Sequence, residues 1–193
     1  METMYPAQKN ILGKLRRGVA VFCLMLPLMA HAQAEQDDFR VVEPYQKACD
    51  SGSDAACGML GFMYKVGEGV KQDDFKAATL FQKACDGGSA ASCGMLGSMY
   101  RWGEGVKQDS FKAVALHQKA CDGGSGMSCD ELGVLYEKGE GTRKDIDQAL
   151  LYFEKACDLE DRSGCVNFDR LKIPRYLQRQ KIEIGVGATT SSD

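Results

Sequence analysis

The chain has 193 residues, which is enough for one ordinary domain with its own hydrophobic core. Its 44% hydrophobic and 26% charged content is typical of a globular protein and excludes a disordered or fibrous chain. The net charge of −3 argues against a general nucleic-acid binder, which usually carries a basic face. We therefore expect no nucleic-acid partner.

The first 34 residues have the parts of a secretory signal peptide. The basic part contains Lys9, Lys14, Arg16 and Arg17. The apolar run GVAVFCLMLPLMA follows, and it is short for a segment that spans a membrane. Small residues next to it allow cleavage after Ala32 or Ala34. We expect an exported protein, periplasmic or secreted, with no stable membrane insertion after signal removal. An uncleaved membrane anchor is the alternative.

A repeat of 36 residues organises the rest of the chain. Two series of cysteines recur at this interval, namely Cys49, Cys85, Cys121 and Cys157, and Cys57, Cys93, Cys129 and Cys165. A fixed period of this size is typical of a solenoid of stacked units. We predict full units at 53–88, 89–124 and 125–160, with a capping half unit at each end. The solenoid should span 35–183, and 184–193 should form a flexible tail.

The pattern inside each unit predicts two helices. In the second full unit Cys93, Leu96 and Tyr100 lie at i, i+3 and i+7, which is one face of a helix. Gly103 should end this helix, and Asp109 offers an N-cap oxygen for the next one. A leucine-glycine pair recurs inside the first helix of every unit, with its glycine at 61, 97 and 133. Glycine inside a helix costs about 1 kcal/mol relative to alanine, so we expect close helix packing at these glycines.

The recurring positions resemble a known motif. In the first full unit they are Leu60, Gly61, Tyr64, Gly67, Gly69, Val70, Asp73, Ala77, Phe81 and Ala84. The pattern resembles the Sel1-like repeat, a relative of the tetratricopeptide repeat, and with its cysteines it more closely resembles the cysteine-rich Hcp family. The resemblance covers roughly residues 37–172, although Thr142 stands where valine is expected. It implies an all-α fold, a right-handed α/α solenoid of helix-pair repeats.

The eight cysteines of the repeats predict one disulfide per repeat. The tight turn between Cys85 and Cys93 should bring their side chains together. Equivalent positions of adjacent units lie about 10–20 Å apart in a solenoid, beyond the Cα separation of about 7 Å that a disulfide allows. The predicted pairs are Cys49–Cys57, Cys85–Cys93, Cys121–Cys129 and Cys157–Cys165. Zinc is the alternative, but structural zinc sites favour about two to four residues between cysteines. We expect no metal and no cofactor.

The sequence shows no catalytic constellation. Its one histidine beyond the signal segment, His117, stands where other units have an aromatic packing residue. The recurring Glu68, Glu104 and Glu140 mark the connectors between helices, so we predict no catalytic residue. The resemblance to the Hcp family implies an alternative function, penicillin binding with weak β-lactam hydrolysis. A factor excreted to act on host cells is a third interpretation.

Positions that differ between units point to binding. In tetratricopeptide-like solenoids the first helix of each pair lines the concave face, and its outward positions vary. The candidate binding residues are Phe62, Arg101, Trp102, Asp130 and Glu137. Trp102 beside Arg101 would serve as an anchor, or Trp102 would only cover the connector. The leading interpretation is a scaffold that binds an unidentified protein or peptide partner.

Overall fold

Helices make up all of the regular structure between residues 41 and 173, the part of the chain that the computed structural model describes. They are α1 (41–50), α2 (Asp54–Val66), α3 (Asp74–Asp86), α4 (Ala90–Trp102), α5 (Ser110–Asp122), α6 (Gly126–Lys138), α7 (Ile146–Asp158) and α8 (162–173). The expected signal peptide at 1–34 and the flexible tail at 184–193 lie outside the described residues.

Two kinds of helix alternate along the chain. We call α2, α4 and α6 the A helices, because each is the first helix of a unit, and α3, α5 and α7 the B helices. By register α1 takes a B position and α8 an A position. Each helix packs against the next one in sequence, from α2 through α7. The architecture is the all-α solenoid of helix pairs that the sequence predicts.

Capping side chains set the helix boundaries. A serine caps the start of every A helix: Ser53, Ser89 and Ser125. An aspartate caps the start of every B helix: Asp73, Asp109 and Asp145. Gly103 ends α4 with a φ of 74°, in the left-handed region that glycine adopts without a steric penalty. The predicted helix end at Gly103 and the N-cap at Asp109 are therefore confirmed.

A glycine brings each A helix against the B helix of its own unit. A Cβ added to this glycine would lie within 3.0 Å of the facing ring in every unit: Gly61 on Phe81, Gly97 on His117 and Gly133 on Phe153. Real Cβ atoms essentially never come closer than 3.0 Å, so the packing requires glycine at Gly97 and Gly133, and at Gly61 the ring of Phe81 would have to shift. The close helix approach expected from the sequence is confirmed.

Four disulfides join each B-type helix to the following A-type helix. They are Cys49–Cys57, Cys85–Cys93, Cys121–Cys129 and Cys157–Cys165. Their Cα atoms lie 4.4–4.7 Å apart, and the first three pairs are buried. Successive B-type helices are also linked, because Lys83 Nζ donates to the carbonyl oxygen of Cys49 at 2.7 Å and Lys119 Nζ to that of Cys85 at 2.8 Å.

Candidate functional site

Exposed apolar side chains follow one stripe of α2 and continue onto α4. Met59, Phe62 and Val66 lie at i, i+3 and i+7 of α2 and are all exposed. On α4 the side chain of Met95 is half-buried and Trp102 is 64% exposed. We call these five residues the A-helix face. It contains Phe62 and Trp102, two of the residues that the sequence selects.

A groove of about 440 Å³ opens on the A-helix face between α2 and α4. Its walls include Met59, Phe62 and Met95, and the buried ring of Phe81 contributes to its lining. Methionine side chains are unbranched and polarisable, so they adapt to apolar groups of different shapes. The groove is therefore suited to an apolar side chain.

Arg101 is buried, which differs from the exposed position expected from the sequence. Only 5% of the residue is exposed, and its guanidinium forms ion pairs with Glu131 at 2.6 Å and Glu140 at 2.9 Å. The guanidinium carbon also lies 4.9 Å from the centre of the Trp102 ring. Arg101 therefore joins α4 to the next unit and supports Trp102 from within the chain.

The equivalent residue of the first unit makes the same kind of link. Lys65 Nζ lies 2.8 Å from Glu104, in the connector of the next unit, and 3.1 Å from Asp74. Burial alone lowers the pKa of Lys65, but the hydrogen bonds to Glu104 and Asp74 outweigh it, so the pKa is raised. Two of the three connector glutamates, Glu104 and Glu140, thus pair with a residue of the preceding unit, which supports their architectural interpretation.

In the third unit the candidates Asp130 and Glu137 bind α8. Arg170 donates to both carboxylate oxygens of Glu137, at 2.9 and 2.7 Å, and lowers the pKa of Glu137. Asn167 donates to Asp130 at 2.7 Å, while burial raises the pKa of Asp130. Both side chains are therefore engaged within the chain, between neighbouring units.

His117 lies in the core, and it is not placed for chemistry. It is 1% exposed, and neither ring nitrogen has a hydrogen-bond partner. Burial, together with the nearby charge of Arg101, lowers the pKa of His117 to about 4. Across residues 41–173, no three His, Cys, Asp or Glu side chains are grouped to hold a metal ion. The β-lactam activity implied by the Hcp resemblance stays a prediction.

Sequence reasoning missed two sets of apolar residues at the surface. One is the methionine pair of the groove, Met59 and Met95, which the i, i+3 spacing of Met59 and Phe62 would have indicated. The other is Phe75 and Phe111, which are 71% and 77% exposed in the first turns of α3 and α5. Phe75 and Phe111 do not belong to the buried face of their helices. Their spacing from the buried alanines could have shown this in the sequence.

Three consecutive segments match the model of the Sel1 repeat, at residues 54–89, 90–125 and 126–161. The chain belongs to the Sel1 repeat family. Each matched segment begins one residue after the start of a full unit predicted from the sequence. No curated protein matches this Sel1 repeat protein.

Solved structures of other Sel1 repeat proteins share the fold. The chain is similar to a protective antigen present in uropathogenic Escherichia coli strains, with 28% identity and a TM-score of 0.66 over 69% of this chain. It is similar to a Sel1 repeat protein from Oxalobacter formigenes, with 26% identity and a TM-score of 0.66 over 69% of this chain. These matches span 28% of the antigen and 54% of the Oxalobacter protein.

A cysteine-rich relative matches over nearly its whole length. The chain is 32% identical to the cysteine rich protein B of Helicobacter pylori, with a TM-score of 0.55 over 68% of this chain and 94% of that one. The Sel1 repeat protein is thus a repeat scaffold with one disulfide per repeat, an architecture consistent with protein–protein interaction. Between residues 41 and 173, none of its helices is long and apolar enough to cross a membrane.

Proposed function

We propose that this Sel1 repeat protein is an exported scaffold that binds a peptide or protein segment along its A-helix face. The observation that carries the proposal is the groove of about 440 Å³ lined by Met59, Phe62 and Met95. Exposed apolar side chains that lie together, and are not scattered singly, mark interaction sites. Repeat solenoids use such extended surfaces to hold their partners.

Within this face we propose Phe62 and Trp102 as the residues that contact the partner. Aromatic side chains supply much of the binding energy of interfaces because they remove a large apolar area from water. We propose an indirect role for Arg101, Asp130 and Glu137, whose side chains join the A-type helices of adjacent units. By holding α4, α6 and α8 together they would pre-organise the surface before a partner arrives.

The sole tryptophan of the chain offers a direct assay, because Trp102 emission reports only on this face. Peptides would be selected from a displayed random library against the oxidised protein, synthesised without tryptophan, and titrated while Trp102 fluorescence is recorded. We expect Phe62→Ser to weaken binding by at least about tenfold, because the groove loses one wall. Leu151→Ser, which removes an exposed apolar side chain of α7, should leave the affinity unchanged.

Equal affinities of the wild type and Phe62→Ser would contradict the proposal, as would selected peptides that leave Trp102 emission unchanged. Far-UV circular dichroism and a melting curve for each variant separate a lost contact from a lost fold. Failure to select any peptide that binds below about millimolar concentration would also count against this face.

Export is supported by the four intramolecular disulfides, since such bonds persist in oxidising compartments outside the cytoplasm. We propose a periplasmic or secreted location, with the segment 1–34 acting as the signal peptide. Expression of the whole chain in a bacterial host should give a soluble periplasmic product that begins at Gln33 or Glu35, as measured by intact mass. A full-length product held in the membrane fraction would favour the anchor alternative.

A further inference from the structure

A second groove, of about 520 Å³, lies where the connector between α4 and α5 meets the start of α3. Its lining includes Phe75, Tyr100, Val106, Lys107 and Lys112. None of its lining residues belongs to the groove of the A-helix face. It is therefore a separate surface, built from the junction of two units.

Gly105 brings the two units together at this groove. Its φ is 66°, and a Cβ at this position would overlap the backbone of Asp74 and Phe75. The positive φ and the close contact both require glycine at this position. Because Gly105 has no side chain, the connector of the second unit can contact the first turn of α3. This contact places the ring of Phe75 beside the lysines of the next unit.

The groove carries two lysines that form no ion pair within the described residues. Lys107 and Lys112 are exposed, and neither forms a salt bridge with any residue between 41 and 173. Lys112 Nζ lies only over the ring of Tyr100, 5.0 Å from its centre. The lining contains one carboxylate, that of Asp109, which is the N-cap of α5. It accepts a hydrogen bond from the backbone N–H of Lys112 at 3.0 Å.

The apolar side chain at the edge of the groove is also exposed to solvent. Phe75 is 71% exposed and does not contribute to the buried face of α3. The corresponding place one unit later differs, because Gln148 replaces Lys112 and Tyr136 stacks on Tyr152 at 5.4 Å between ring centres. The next junction keeps an exposed ring at Phe111 and a basic residue at Arg143, so the ammonium group of Lys112 distinguishes the present junction from it.

We propose that this groove binds an acidic peptide segment that also carries apolar side chains. The peptide packs an apolar side chain against Phe75 and Val106, while its carboxylates meet the ammonium groups of Lys107 and Lys112. A volume of about 520 Å³ holds several side chains. A lipid surface is flat on this scale and leaves the groove unfilled, so a peptide fits the shape better.

The test uses a fluorescein-labelled peptide of sequence Asp-Leu-Glu-Phe-Asp-Leu and the oxidised protein with its four disulfides intact. Fluorescence anisotropy at low salt should show saturable binding that weakens as salt is added, because partly exposed charges are screened. We expect Lys112→Glu to lower the affinity at least about tenfold and Phe75→Ser several-fold. The matched control Arg162→Glu makes the same charge change at an exposed residue of α8 that forms no salt bridge with any described residue, outside the groove, and should bind like the wild type.

Three results would overturn the proposal. The first is equal loss of binding in Lys112→Glu and Arg162→Glu, which would indicate a general charge effect. The second is equal binding of a peptide in which Asn and Gln replace the acidic residues. The third is absence of peptide binding up to about 1 mM, and sedimentation of the protein with phosphatidylglycerol vesicles would then assign the surface to a membrane. Circular dichroism of every variant checks that the solenoid remains folded.

Discussion

At the scale of single residues, His117 shows how one substitution changes the physics of a packing site. The same position holds Phe81 and Phe153 in the neighbouring units, and each ring packs on a glycine of the facing A helix. Histidine fills this space but leaves two ring nitrogens without hydrogen-bond partners. A buried polar atom without a partner costs about 1–3 kcal/mol, so the second unit carries a penalty that the others avoid.

We predict that His117→Phe stabilises the protein and removes part of its acid sensitivity. The pKa of His117 is about 4 in the folded chain and near 6.5 in the unfolded chain. Below pH 6.5 the unfolded chain therefore binds a proton that the folded chain does not, and stability falls until about pH 4. The shift corresponds to about 3 kcal/mol across this window. Urea unfolding of both proteins between pH 4 and 8 measures the difference.

The reciprocal change Phe153→His provides the control, because it places an unpartnered imidazole in the third unit. It should lower stability at pH 7 and steepen the loss of stability below pH 6.5. Carboxylates titrate in the same range, so the comparison of variants at each pH isolates the histidine. Parallel pH profiles for the wild type and His117→Phe would show that His117 does not titrate as inferred.

At the scale of helices, the internal glycine of each A helix sets how closely it meets its B helix. The distance between an added Cβ and the facing ring is 3.0 Å at Gly61 and 2.6 Å at Gly133. At Gly133 a methyl group would push the fully buried ring of Phe153 against a closely packed core. Glycine in a helix costs about 1 kcal/mol relative to alanine. The free energy gained from close helix packing is expected to exceed this cost.

We predict that Gly133→Ala destabilises the fold by about 1–3 kcal/mol, since overpacking a core forces side chains and backbone to shift. Gly61→Ala should cost less, because its added Cβ has slightly more room. Urea unfolding followed by circular dichroism at 222 nm gives both values. The control is Ser98→Ala at a half-buried position of α4, which should change stability by less than about 0.5 kcal/mol. A stabilising Gly133→Ala would show that helix propensity prevails over the contact with Phe153.

At the scale of the whole molecule, contacts between helices that follow each other in sequence build the stack from α2 to α7. Disulfides, hydrogen bonds from lysines to backbone carbonyls, and ion pairs add to this packing. The disulfides join the end of one helix to the start of the next. The charged pairs reach further along the chain, from Lys65 to Glu104 and from Arg101 to Glu140. Stability in such a stack is close to a sum of terms from adjacent units.

We predict that removal of a disulfide acts locally. For a closed loop of about nine residues the chain-entropy model gives about 2.5 kcal/mol as an upper figure. In Cys157→Ser with Cys165→Ser, only α8 should lose protection in hydrogen exchange. In Cys85→Ser with Cys93→Ser, the loss should appear on both sides of the junction, in α3 and α4. Hydrogen exchange read by mass spectrometry distinguishes the two patterns. A uniform loss of hydrogen-exchange protection across all helices in both proteins would contradict the view that stability is a sum of local contributions.

The sequence by itself determined the repeat, the helix ends and the pairing of cysteines. These features depend on local signals: the cap at Asp109, the glycine at Gly103 and a turn that brings Cys85 to Cys93. Each acts over a few residues, and repetition at a fixed interval makes it easy to recognise. The need for glycine at Gly97 was also predictable, since a costly residue inside a helix indicates a close contact.

Only the tertiary structure decided which of the variable residues face solvent. Trp102 is exposed and Arg101 is buried although they are adjacent, because α4 turns Arg101 toward Glu131 and Glu140 of the next unit. The sequence shows that Arg101 and Glu140 carry opposite charges and belong to successive units. Whether the two side chains come into contact depends on how far each unit is rotated relative to the next. The two grooves arise in the same way, since each is lined by residues of two successive units that meet only when the helices are stacked.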